Sequence, residues 1–201
     1  MTRGFFDLFS GELRDLNIEN MSGVNTNLAT EYTFIKELRR GKLVNVHVTG
    51  LQVDFTSGDE IISHAIGGLV NTLYGGTIED SSISGNMNGI HHGAGGMVGK
   101  AREDRVSCDS TLQNCVSKVN MNTDAGRIVG GLVGSASYTN VTNSYSTGTV
   151  TGLTQVGGLI GSFGFGEIVG SSASGNVSGT ISVGGLVGVL GNATLTTSGA
   201  S

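Results

Sequence analysis

The sequence contains no proline and no tryptophan in 201 residues, and it is short of aromatics (5%) and of charged residues (13%). Each scarcity excludes something. With few charges and a net charge of −5, there is no basic field to hold a nucleic acid or an anionic membrane surface. No run approaches the roughly 18 apolar residues of a membrane-crossing helix, so no membrane insertion is expected. The opening MTRGFFDLFSGEL lacks the apolar core of a secretory signal. The expectation is an export signal outside this sequence and a place at the cell surface or beyond it. What is plentiful is glycine, 35 residues, and glycine costs about 1 kcal/mol per residue in a helix interior, so helix is not expected.

The glycines recur in pairs. A Gly-Gly-aliphatic unit stands at Gly67 and Gly68, Gly95 and Gly96, Gly130 and Gly131, Gly157 and Gly158, and Gly184 and Gly185. The intervals are 28, 35, 27 and 27 residues. Eight residues beyond the second aliphatic comes another apolar residue: Val70 leads to Ile78, Val133 to Val141, Ile160 to Ile168 and Val187 to Leu195. The same ruler runs backwards from Ile35 to Leu43 and from Phe5 to Leu13, so two degenerate copies precede the clear ones. Positions three and five after this marker alternate as a strand demands: Val46 and Val48, Ser81 and Ile83, Cys115 and Ser117, Ser144 and Ser146. The pattern predicts an all-β fold, a parallel β-helix or solenoid of about 27-residue coils with three short strands per coil. Residues 1–60 form degenerate N-terminal coils with a possible cap, residues 61–201 the regular repeats, and the whole is one continuous solenoid. The paired glycines are expected to permit positive φ and close backbone approach at a corner.

Two residues after the marker runs a column of Asp15, Asn45, Asp80, Asn114 and Asn143, broken by Gly170. It is expected to be a structural ladder of Asx side chains at a turn. The long interval carries an insertion near residues 100–111, whose charged residues Lys100, Arg102, Glu103, Asp104, Arg105 and Asp109 are the candidate binding residues, since insertions in solenoids become loops on one face. Cys108 and Cys115 either close a small disulfide ring, consistent with an oxidising compartment, or Cys115 fills the inward small-residue column of Ser81 and Ser144 with Cys108 free.

The stretch GGLVGSASYTNVTNSYSTGTVTGLTQVGGLIG resembles the GLUG repeat, a glycine-rich motif of large bacterial surface proteins. These include filamentous-haemagglutinin-like adhesins and the non-catalytic part of immunoglobulin A peptidases. The resemblance covers residues 67–195 well and 5–60 loosely. It implies an extracellular scaffold or adhesive segment, and it carries over no catalytic residue: His91 and His92 are followed by Gly93 and Ala94, not by the His-Glu-x-x-His of a zinc peptidase.

The residues point the same way. From Ile128 to Ser201 the only charged side chain is Glu167, a poor supply of general acids and bases. In the N-terminal half Glu12, Asp54, Asp59, Glu60, His64, Arg39 and Arg40 form no constellation that the sequence reveals. The chain is therefore read as no enzyme, with no cofactor and no metal site. The expected partners are a host-cell surface protein or glycan, or neighbouring copies stacked end to end into a filament; a β-helix enzyme acting on carbohydrate is the alternative.

Overall fold

The computed structural model describes residues 5–25, 33–55, 65–90, 92–104, 109–123 and 125–201. The chain is a parallel β-helix. One column shows the stacking: Phe6, Ile35, Val70, Val98, Val133, Ile160 and Val187 pair in parallel register, each with the equivalent residue of the next coil. At about 4.8 Å per coil these seven levels make a rod about 30 Å tall. The first face comprises Phe6–Phe9, Ile35–Arg39, Val70–Tyr74, Val98–Arg102 and Val133–Ala136, then the opening halves of Ile160–Val169 and Val187–Thr196. The second face carries the marker column from Leu13 and Leu43 through Ile78, Leu112, Val141 and Ile168 to Leu195. On the third face Ile83, Ser117, Ser146 and Ala173 align.

The Gly-Gly unit is the corner between two strands. Its first half belongs to a separate five-stranded sheet, Ile66–Gly67, Gly93–Gly95, Ile128–Gly130, Gln155–Gly157 and Val183–Gly184, and its second half opens the first face. At the corners that begin at Gly95, Gly130, Gly157 and Gly184 one carbonyl accepts two consecutive N–H groups of the coil below: Leu132 N and Val133 N both donate to Leu159 O, at 2.9 and 3.1 Å. None of the paired glycines has positive φ, so that part of the expectation is corrected. Close approach alone demands them, because a Cβ on Gly130 would lie 1.9 Å from the Val133 carbonyl oxygen and one on Gly131 2.2 Å from that of Gly158.

Alternation along each strand sends one set of side chains inward. Leu69, Met97, Leu132 and Leu159 are wholly buried in one column, as are Leu43, Ile78, Leu112, Val141 and Ile168 in another. The seventh coil covers its neighbour but is itself covered less, and Ile181, Val183 and Leu190 are exposed there.

The Asx column marks a turn of left-handed backbone: Asp15, Asn45, Asp80, Asn114, Asn143, Gly170 and Thr197 have φ between 45° and 57°. Asn and Asp tolerate that region better than other non-glycine residues, which is why they hold this position and glycine replaces them once. Adjacent side chains also bond between coils, Asn45 Nδ2 to Asp15 Oδ1 at 2.7 Å and Asn114 Nδ2 to Asp80 Oδ1 at 2.8 Å.

Two details of the ruler change. Phe6, not Phe5, occupies the first-coil position equivalent to Ile35, because the turn between Phe9 and Leu13 is one residue shorter than that between Leu38 and Leu43. The eight surplus residues of the long interval fall in two places. Nine residues separate Arg102 from Thr111 where three separate Tyr74 from Thr77, and eight separate Met121 from Val129 where six separate Val150 from Val156.

Candidate functional site

Outward side chains on the first face also form columns, and here the residues differ from coil to coil. Glu37, Thr72, Lys100, Ser135 and Ser162 make one column; Arg39, Tyr74 and Arg102 make part of another. The strand spacing of about 4.8 Å is close to the stacking distance of planar groups, so the three residues form a pile. The guanidinium carbon of Arg39 lies 4.7 Å from the centre of the Tyr74 ring and that of Arg102 4.5 Å from it. Arg102 Nη2 also donates to the Tyr74 hydroxyl, while Arg39 Nη2 pairs with Glu37 Oε2 at 3.0 Å.

Beside this pile runs a groove of about 710 Å³ whose lining includes Lys36, Lys100, Arg102 and Arg127, with His92 at one side. Four of the chain's 11 Lys and Arg residues thus meet in one hollow. Among the described residues its one lining carboxylate, Glu37, is the partner of Arg39. Lys100 and Arg102 reach it from the strand Val98–Arg102, and Arg127 from the turn before Ile128–Gly130, where its N–H donates to His92 O at 2.6 Å. Burial, then the nearby Arg102 charge, hold the Lys100 ammonium below the usual lysine range. Among the described residues Lys100, Arg102 and Arg127 enter no ion pair, and Arg102 Nε is a buried donor without a partner. A second hollow of about 590 Å³ continues past Tyr74 to Tyr138. There the Tyr138 and Phe165 rings stack at 4.9 Å and 13°, each 40% exposed.

The candidate binding residues divide. Lys100 and Arg102 register with Thr72 and Tyr74, so they belong to a regular strand and not to the inserted segment. Glu103 borders the second hollow. Asp104 is buried, its Oδ2 2.6 Å from Arg40 Nε, an ion pair that ties the insertion to the second coil. Asp109 is exposed where the chain re-enters the second face. Arg105 and Cys108 lie outside the described residues. Cys115 is a free, fully buried thiol whose Sγ lies 3.4 Å from the carbonyl oxygens of Ile78 and Gln113, in the inward column of Ser81 and Ser144. Burial pushes this thiol up to about 12.

Of the scattered carboxylates, Glu12 pairs with Arg14 and sits opposite Lys42, at the other end of the strand Lys42–Phe55 from Asp54. Asp54 is held below the usual carboxylate range by bonds from Asn88 and Gln52. Asp59, Glu60 and His64 lie outside the described residues. Among the described residues no three His, Cys, Asp or Glu side chains gather as a metal site would require, and no helix is long and apolar enough to cross a membrane. Tyr74, Lys36 and Arg127 did not stand out in the sequence. Reading the ruler four residues beyond Ile35, Val70 and Val98 aligns Arg39, Tyr74 and Arg102 and would have exposed the pile.

Residues 125–151 match the family model described as the GLUG motif. The chain is similar in structure to an IgA1 protease, with a TM-score of 0.61 at 17% identity, over 92% of this chain and 15% of that one. The chain thus spans less than a sixth of that protein. The likeness shows the fold. No curated protein matches the sequence significantly.

Proposed function

We propose that this GLUG-bearing β-helix is a non-catalytic, extracellular binding module of a bacterial surface protein, a stiff support that presents an adhesive face. One observation carries the reading: what repeats from coil to coil is inward, and what varies is outward. The inward column from Leu69 to Leu159 stays large and apolar, whereas the outward column runs Glu37, Thr72, Lys100, Ser135, Ser162. Stacking needs only the first set, which leaves the second free to form a recognition surface. The GLUG match and the resemblance to surface proteins support the location. The test is binding of the purified chain to host cells and to a glycan panel, beside incubation with polysaccharides. Saturable binding without new reducing ends or unsaturated products supports the module; turnover of any polysaccharide replaces it with a carbohydrate-active enzyme.

A second reading is association between copies of the chain through the exposed apolar side chains Ile181, Val183 and Leu190. Sedimentation that stays monomeric across concentration ends it.

A further inference from the structure

The geometry points to the groove beside Tyr74 as a site for an acidic saccharide, one that carries carboxylate or sulfate groups along its chain. This deepens the binding reading above and rests on it.

The charge is in the wrong place for a merely solvated surface. On a chain of net charge −5, Lys100, Arg102 and Arg127 converge on one hollow without an ion pair among the described residues, and the one carboxylate that lines it among those residues is already tied to Arg39. Like charges brought together lose free energy unless an anion joins them, and a concave wall focuses their field. Lys100 shows the cost: burial and Arg102 both disfavour its charged form. A bound anion removes that penalty.

Shape narrows the anion. The groove runs from Glu37 in the second coil to Arg127 and Ser135 in the fifth, about 14 Å at three coil spacings. That suits a linear oligomer better than a single small ion. At one end stand the stacked, half-open rings of Tyr138 and Phe165, a flat apolar platform for the face of a sugar ring. Tyr138 has φ 51° at a position where the third coil uses Gly75 with φ 54°. An aromatic residue in left-handed backbone costs about 1–2 kcal/mol relative to glycine. Its side chain is placed there at the expense of stability, as residues at binding sites often are. Guanidinium and ammonium groups supply the charge-assisted bonds for carboxylate or sulfate.

The experiment is calorimetric titration of the whole chain with three probes: a polygalacturonate oligomer for carboxylate, a heparin-derived hexasaccharide for sulfate, and a neutral dextran oligomer. At least one acidic probe is expected to bind, more weakly as salt rises, and the neutral one not to. Lys100→Gln with Arg127→Gln is expected to weaken binding at least tenfold with an unchanged urea midpoint, and Glu37→Gln to tighten it. Acidic-probe binding that the double variant leaves intact overturns the site, as does equal binding of dextran. If the chain binds host cells or other glycans but no acidic probe, the groove assignment fails and the adhesive reading stands. If it binds nothing in either experiment, both fail.

Discussion

The Ser144 hydroxyl accepts the buried N–H of Cys115, one coil below, at 3.0 Å, and donates in turn to the Thr142 carbonyl at 2.8 Å. The unit repeats along the rod: Ser81 accepts from Val46, Ser171 from Ser144 and Ser198 from Ser171. Each hydroxyl closes a turn that backbone pairing leaves open. Ser144→Ala would strand the Cys115 donor in the interior and is expected to cost about 1–3 kcal/mol in urea denaturation. Ser146, two residues on, has a buried hydroxyl with no partner among the described residues, and Ala173 takes the same place one coil later. Ser146→Ala should therefore leave stability unchanged or raise it, and a loss as large as that of Ser144→Ala would contradict the distinction.

The corner glycines should be intolerant for steric reasons. Gly130→Ala puts a methyl 1.9 Å from a carbonyl oxygen, which no rotamer relieves, and should destabilise by more than about 3 kcal/mol, in the range reserved for severe overpacking. Gly199→Ala meets nothing within 4 Å and should fall within about 0.5 kcal/mol of the parent protein.

At the Asx turn, conformation outweighs hydrogen bonding. Asn114→Gly loses one exposed bond to Asp80 but keeps a residue at ease with φ 54°. Asn114→Val forces a β-branched side chain into left-handed backbone at a cost of at least about 1–2 kcal/mol. Thermal midpoints should rank parent, then Gly, then Val; a Val variant as stable as the Gly variant would contradict the backbone reading.

The Cys115 thiol gives a pH dependence of definite sign. Its folded pKa, raised to about 12, exceeds the unfolded value of about 8.5. Its contribution is fully present below the unfolded value and fades as pH rises from there toward the folded one. With Cys108 replaced by Ser, the urea midpoint should fall between pH 8 and pH 10, and Cys115→Ser should remove that part of the fall. Thiol reagents at pH 8 should react only on unfolding.

How much of this was legible depended on whether a residue faces in or out. The glycine pairs, the aliphatic columns and the Asx turn were readable from spacing because stacking forces like onto like, and Leu132 must rest on Leu159. The reason for the glycines was only half readable, since close approach to a carbonyl and positive φ leave the same mark in a sequence. The groove was hidden because its residues have no repeat to betray them: Arg39, Tyr74 and Arg102 share a column but not a type, and Arg127 joins them only through the corner geometry. The insertion was placed too early for a related reason. Lys100 and Arg102 look like loop residues by charge, yet they alternate with Ala101 on an ordinary strand.

Superposition of the coils is what every other statement depends on, and pulsed electron resonance measures it directly. Spin labels at Glu37→Cys and Ser162→Cys sit four coil steps apart in one outward column, and labels at Glu37→Cys and Val189→Cys five. With the native cysteines replaced by serine, the two backbone separations correspond to about 19 and 24 Å. The second label distance is expected to exceed the first by about 5 Å, one coil spacing. Equal distances, or a shorter second one, would contradict the stacked rod.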